Sequence, residues 1–369
     1  MKTIEIIRNS VMQCIERIAK LSKIVEKVDN SLKLQEQNIE NGKIYDSVMS
    51  NFVTSQFNNF TYLYYTENGD IKSILFNDGN VSQPLIDSYV ISGKPLSYRC
   101  HKITDKVEFK NFDTSAVTNM SSMFVYCSNL TTLDLSSFDT SAVTSMGSMF
   151  DNCDRLTTLD LSNFNTSLVT DMSGMFANCR NLTMLDLSSF DTSAVTNMRA
   201  MFFYCSNLTT LDLSSFDTSA VTDMCNMFYN CVLTTLDLSS FDTSAVTDMS
   251  YMFQSCYRLT MLDLSSFDTS AVKDMTGMFQ NCNSLTTIIG THTLEEVHAG
   301  TVKALRGLKI NISFRDSPNL ERASILALFY GLADLTGNTK ETIILHGTAK
   351  ARLTAEDIKI ATDKNWNVQ

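Results

Sequence analysis

Two apolar periodicities take turns along residues 112–285. In Leu130-Thr-Thr-Leu-Asp-Leu-Ser136, Leu133 and Leu135 alternate with Thr132, Asp134 and Ser136. That period of two predicts a short strand with leucines on one face and polar residues on the other. Further on, Met146, Met149, Phe150 and Cys153 stand at i, i+3, i+4 and i+7. This spacing predicts two turns of helix, too short to stand alone, packed against the leucines. Phe138 and Val143 anchor the segment between them. The unit recurs seven times, and its landmark cysteines are Cys127, Cys153, Cys179, Cys205, Cys231, Cys256 and Cys282, spaced 26, 26, 26, 26, 25 and 26 residues apart. A fixed period of this size predicts coils that bury their apolar side only when stacked. The fold expected is therefore an α/β leucine-rich-repeat solenoid of seven ~26-residue coils.

The flanking regions carry other patterns. Residues 4–39 hold an unbroken heptad, with Ile4, Val11, Ile18, Val25, Leu32 and Ile39 on one seam and Ile7, Cys14, Leu21, Val28 and Gln35 on the other. A coiled-coil stalk over 1–42 follows, and β-branched residues at both core positions lean toward three strands. Ile4, Ile7, Val11, Ile18, Leu21, Val25, Val28 and Leu32 are the oligomerisation residues. Residues 43–106 read as a small β-rich connector and N-cap, in which Phe60–Thr66 and Ile71–Phe76 flank the hairpin signal Asn68-Gly69. The solenoid spans 107–289, with Val107 and Phe109 in the leucine positions of a degenerate first strand. Residues 290–369 read as an α/β C-terminal cap. It holds a strand at Ile310–Phe314, a helix opened by Ser317-Pro318 and running to about Leu335, a strand at Thr342–Leu345, and a helix opened by Thr354.

Charge narrows the function. Residues 113–282 contain 18 Asp, no Glu and 5 Lys or Arg, a net −13, while the whole chain carries −11. Such a surface repels phosphate backbones, so nucleic acid is not an expected partner. No apolar run is long enough to span a membrane, and Met-Lys-Thr-Ile-Glu-Ile-Ile-Arg has charges where a signal peptide has its apolar centre. The four histidines are scattered, and neither a Ser-His-Asp arrangement, a metal-ligand spacing nor a phosphate-cradling glycine loop is present. The reading is a non-enzyme with no catalytic residues.

Three rows of side chains repeat from coil to coil. Asp134, Asp160, Asp186, Asp212, Asp237 and Asp263 lie mid-strand on the outer face, either as a solvated face or as a polar strip for a sugar or protein ligand. Asp113, Asp139, Asp191, Asp217, Asp242 and Asp268, with Asn165 in the third coil, belong to Asp-Thr-Ser turns. Turn capping is the favoured role there, because Asn165 would serve equally well. Stacked carboxylates repel, which leaves calcium as the one cofactor worth testing; otherwise none is expected, and no metal ligands are assigned. The cysteines read as reduced core thiols, since stacked side chains run parallel and their sulfurs do not converge. Cys225, in a variable slot after Met224, is expected at the surface.

Differences between coils gather at the outward positions of the predicted helical turn. There Phe203, Tyr204, Tyr229, Tyr251 and Tyr257 could form an aromatic patch for carbohydrate or protein contact. Elsewhere only Met184 and Met261 interrupt the row of Thr132, Thr158, Thr210 and Thr235.

The recurring Leu-Asp-Leu-Ser-x-Phe-Asp-Thr-Ser followed by Met-x-x-Met-Phe resembles the BspA-like leucine-rich repeats of bacterial surface proteins, over about 107–289. The resemblance implies a binding or adhesive solenoid, displayed on bacterial cells and also found in phage-encoded fibres. Joined to the heptads, it leads to the expectation of a homotrimeric phage virion fibre. Its partners would be other virion proteins at the N-terminal end and a bacterial surface glycan or protein at the solenoid. Alternatives are a bacterial cell-surface adhesin and a purely structural spacer.

Overall fold

The computed structural model describes the backbone of the strands at 61–67, 70–77, 80–82, 98–101 and 106–110, and residues 114–369 except 116 and 291. The heptad residues of 4–39 and Asp113 lie outside the described residues.

Strands β1 (Thr61–Glu67) and β2 (Asp70–Asn77) pair antiparallel on either side of residues 68–69, with a bulge between Tyr65 and Thr66. β4 (Tyr98–His101) pairs antiparallel with the other edge of β1. A second, parallel series leads into the repeats. β3 (Asn80–Ser82) pairs with β5 (Lys106–Lys110), and β5 with β6 (Thr132–Leu133), which sets Val107 opposite Leu133.

Each repeat joins the next through backbone hydrogen bonds. In the second repeat the amides of Met146, Ser148, Phe150 and Asn152 donate to the carbonyls of Asp171, Ser173, Met175 and Ala177, 2.7–2.9 Å away. The intervening amides of Met149, Asp151 and Cys153 fold back three residues, to Met146, Ser148 and Phe150, at 3.1 Å. This stretch is therefore a ribbon of overlapping turns and not the helix that its spacing predicts. A helix would spend every amide within its own segment, whereas the ribbon sends half of them to its neighbour. It also needs two left-handed residues per repeat, such as Ser148 (φ 54°) and Asn152 (φ 61°), and such residues break a right-handed helix. The i, i+3, i+4, i+7 residues still face inward, for the turn ribbon keeps Met146, Met149, Phe150 and Cys153 fully buried.

The strand segment is slighter than expected. Among the described residues between β5 and the C-terminal region, only β6, β7 (Thr235–Leu236) and β8 (Met261–Leu262) are strands, and β7 pairs with β8 in parallel. A second ladder runs where the chain enters the turns, with parallel bridges linking Asn119, Ser145, Asp171, Asn197, Asp223, Asp248 and Asp274 in series.

Inside, identical residues stack. The rings of Phe124, Phe150, Phe176, Phe202, Phe228, Phe253 and Phe279 follow one another with centroids 5.6–5.8 Å apart and planes within 13°. The cysteines form a row of buried thiols with no disulfide among the described residues, in which Cys153 Sγ donates to the carbonyl of Phe124 at 3.2 Å and Cys282 Sγ to that of Phe253 at 3.0 Å. Burial pushes the thiols of Cys153, Cys179, Cys205, Cys231, Cys256 and Cys282 up, that of Cys256 to about 12, which keeps them protonated.

The C-terminal region continues the same core. Phe314 stacks on Phe279 at 4.5 Å, Asp316 accepts the amide of Asn281, and the carbonyl of Arg306 takes the place of the next repeat for Thr269. From there ordinary elements take over. The parallel sheet β9 (Ile312–Phe314), β10 (Glu341–Leu345) and β11 (Trp366–Val368) has β10 in the middle. The helices are α1 (Leu294–His298), α2 (Arg322–Gly331), α3 (Gly347–Lys350) and α4 (Ala355–Thr362). α4 opens at Thr354 in a capping box with Asp357, as expected. α2 starts later than expected. Ser317 does not cap it but lies buried, with its hydroxyl donating to the carbonyl of Cys282. Arg322 holds Asp357 through two bonds of 2.8 Å and so ties α2 to α4. Gly331 is required by close packing, for a Cβ there would lie 2.1 Å from the carbonyl oxygen of Ala304. No described helix is long and apolar enough to cross a membrane.

Candidate functional site

The repeated aspartates are fastened to their own backbone. In the mid-strand row, the carboxylates of Asp134, Asp160, Asp186, Asp212, Asp237 and Asp263 accept the amide of the serine two residues on, at 2.9–3.0 Å. Asp139, Asp191, Asp217, Asp242 and Asp268 do the same in the Asp-Thr-Ser turns, and Asn165 follows them at 3.1 Å. A neutral amide working in a carboxylate's place shows that turn formation, not charge, selects this position. Hydrogen bonds from Ser162, by amide and hydroxyl, hold the Asp160 carboxyl below its ordinary value despite Asp186 and Asp134 on either side. The serines thus outweigh the repulsion that made a cation attractive.

A third row had no role assigned from sequence. Asn119, Asp171, Asn197, Asp223, Asp248 and Asp274 also accept the amide two residues on. Here the described residues bring one possible set of metal ligands together, Asp223, Cys225 and Asp248, whose ligand atoms lie within 4.8 Å of one another. These atoms already have protein partners. Cys225 Sγ accepts from Asn226 and from the Ser250 hydroxyl, at 3.0 and 3.1 Å, and Ser250 also bonds Asp248. Cys225 is not at the surface as expected; it is 2% exposed, covered by the next repeat's Ser250.

The threonine of Asp-Thr-Ser is the residue that sequence reasoning missed. Thr114, Thr140, Thr166, Thr192, Thr218, Thr243 and Thr269 are buried polar side chains. The Thr166 hydroxyl donates to the carbonyl of Asp191 and accepts its amide, both at 2.8 Å, so one side chain serves both groups of the next repeat. Its presence in every repeat was the available signal.

The variable aromatic residues divide. Phe203, Tyr204 and Tyr229 form one cluster, with centroids 4.7–5.3 Å apart, and the Arg180 guanidinium lies 5.9 Å from the centre of the Tyr204 ring. Tyr257 joins at its edge, 44% exposed, with its hydroxyl donating to the Asn230 side chain. Burial, and then Tyr204, push the Tyr229 and Tyr257 hydroxyls up in pKa. Tyr251 lies elsewhere. It makes no ring contact with the other four among the described residues, and its ring covers Gly277, where a Cβ would come within 2.5 Å. Because Tyr204 stacks between Arg180 and Tyr229, the cluster offers ring edges and hydroxyls outward more than open ring faces. Tyr204 also keeps a left-handed backbone (φ 58°) where equivalent repeats place Asn152, Asn178, Asn230 and Asn281.

On the strand side, Met184, Leu185, Asp186, Thr210, Leu211 and Asp212 line a shallow groove of about 360 Å³. Met184, 69% exposed, replaces the threonine of other repeats there. Two members of the mid-strand row thus meet an exposed apolar side chain, and a methionine recurs at the same slot as Met261, beside Asp263.

A family model described as "Mycoplasma protein of unknown function, DUF285" matches residues 95–210 and 201–305. The chain belongs to the DUF285 family. The match covers more than half of its length and falls on the repeats, where the BspA-like resemblance also lies. No curated protein and no solved structure matches the chain.

Proposed function

We propose that this DUF285 protein is a non-enzymatic repeat protein, a leucine-rich-repeat solenoid that contacts a surface ligand through Phe203, Tyr204, Tyr229 and Tyr257, with Asp186 and Asp212 contributing from the other side. The carrying observation is the one cluster in which bulky rings replace small or amide side chains on an otherwise repeated frame. A strained backbone at Tyr204 that neighbouring repeats relieve with Asn supports selection for the ring itself.

In its finer form, the heptads of 4–39 assemble three chains, and the protein serves as a virion fibre that presents three copies to a bacterial glycan or protein, gaining avidity. A second reading, a bacterial cell-surface protein, is favoured by the family's description, which names a cellular bacterium.

Both forms meet the same first test. Phe203→Gln, Tyr204→Asn and Tyr229→Gln install residues that equivalent positions already carry, so the fold is expected to survive. Binding of the labelled full chain to bacterial cells should fall at least about tenfold if buried ring contacts are lost. Unchanged binding would remove the cluster as the contact. The mass of the full chain by light scattering, with and without residues 1–42, separates the finer readings. A trimer that becomes monomer on truncation supports the fibre, and a monomer throughout argues against it.

A further inference from the structure

Where the last repeat meets the C-terminal region, Ser265, His292, Gly300, Thr301, Val302, Lys303 and Arg306 line a cleft of about 440 Å³. Its chemistry is the reverse of the repeats, which carry 18 Asp against 5 basic residues over 113–282. Lys303 has no hydrogen-bond or ion-pair partner among the described residues, and its charge reaches Lys364, whose pKa burial lowers first and Lys303 lowers further. Arg306 is fixed in place, with Nη2 donating to the carbonyl of Ser266 at 3.0 Å.

The backbone adds donors. The amides of Thr301, Val302 and Lys303 make no hydrogen bond among the described residues, although Val302 is buried. Open N–H groups at 301–303 beside two cations suit an anion, and the open amide of Val302, the buried residue of the three, calls for a partner. The carbonyl end of α1, which would repel an anion, is closed off: Ala299 and Gly300 bond back into it, and the Thr301 hydroxyl donates to the carbonyl of Glu296 at 2.8 Å. The opposing carboxylates are Glu296, 3.7 Å from His292, and Asp242 and Asp268, which face Arg306. None of them faces Lys303.

We infer that this cleft is a binding site for a phosphate group carried on a small molecule, held by Lys303, Arg306 and the open amides of 301–303. Its volume leaves room for a sugar-sized or glycerol-sized remainder beside the phosphate. A long polyanion is disfavoured by the adjoining aspartate rows.

The test is thermal unfolding and calorimetric titration of the full chain at constant ionic strength, with inorganic phosphate, glycerol 3-phosphate, glycerol and a phosphodiester oligomer as probes. The expected result is a saturable rise in Tm with glycerol 3-phosphate, as a ligand of the folded state must give. Glycerol should produce no rise, and the oligomer should bind more weakly. Lys303→Gln, which breaks no hydrogen bond or ion pair among the described residues, should weaken binding about tenfold by removing a charge-assisted bond. His292→Asn should have a smaller effect. Absence of saturation, equal binding by Lys303→Gln, or tightest binding by the oligomer would each overturn the site. Inorganic phosphate binding as tightly as glycerol 3-phosphate would overturn the small-molecule assignment. The aromatic cluster plays no part in this outcome.

Discussion

The repeats and the C-terminal region share one core and solve the same backbone problem in opposite ways. From Phe124 to Phe314 the ring stack is continuous, so the apolar driving force does not change at the junction. What changes is where the amides go. The repeats divide them between turns and the neighbouring repeat, as with Met149 and Ser148, and so hold almost no regular secondary structure. The C-terminal region closes its bonds within α2, α4 and the β9–β11 sheet, and uses local devices such as the Thr354 capping box and the Arg322–Asp357 pair. A repeat therefore depends on its neighbours, whereas the end region also closes bonds within itself and meets the last repeat through contacts such as Ser317 to Cys282. That difference explains how residues 304–324 can stand in for a further repeat, offering Arg306 to Thr269 and Asp316 to Asn281 without copying the motif.

The sharpest way to break this comparison is at the shared core. Phe202→Ala, in the middle of the stack, should cost about 3–5 kcal/mol in chemical unfolding, as large cavities do. If repeats are coupled as their ladders imply, protection of amides in hydrogen exchange should fall in the flanking repeats too. Loss confined to the mutated repeat would refute the coupling.

Acid offers a collective test. Hydrogen bonds from serines hold Asp134, Asp139, Asp160, Asp186, Asp191, Asp212, Asp217, Asp237, Asp242 and Asp268 below the ordinary carboxylate range. A depressed folded value means that their contribution is complete above the unfolded value, about 3.9, and disappears as pH falls through the folded values. Asp151, raised chiefly by burial, acts in the opposite sense. Circular dichroism of the repeats should therefore report a lower denaturant midpoint at pH 3 than at pH 6. Trp366, the single tryptophan and buried in the C-terminal region, reports separately on that end, which has fewer such carboxylates. Equal losses at both ends would remove the distinction.

Smaller effects sharpen it. Thr166→Val leaves both the amide and the carbonyl of Asp191 without their buried partner and should cost about 1–3 kcal/mol. Thr354→Ala removes an N-cap and should cost about 1 kcal/mol, read by Trp366 fluorescence. Tyr126→Asn should be the mildest change and a gain. Tyr126 is 57% exposed and left-handed (φ 60°), so an amide side chain should add up to about 1 kcal/mol to the denaturant midpoint measurement.

The variable slots held more information than their polarity suggested. Gly174, Asn226 and Gly277 at one slot, and Asn152, Asn178, Asn230 and Asn281 at the other, are residues that tolerate a left-handed backbone, and Ser122, Ser148, Ala200 and Tyr251 adopt it too at the first. Read for conformation and not for exposure, they argue against a helix between Met146 and Cys153. The aromatic cluster was legible only in part. Phe203, Tyr204 and Tyr229 come together because consecutive repeats put them in register, while Tyr251 occupies the other slot and turns onto Gly277.

By itself, the sequence determined the period, the inward face of each repeat and the capped helix at Thr354, because these follow from local spacing and local hydrogen bonds. Only the tertiary structure decided that the inward face rides on turns, that Thr166 and its counterparts are buried, that Cys225 is covered, and that open amides and two cations meet beside Val302. The physical reason is common to all four. An amide or hydroxyl can bond within its own segment or to a chain some 25 residues away, and side-chain type does not say which until the neighbour is in place.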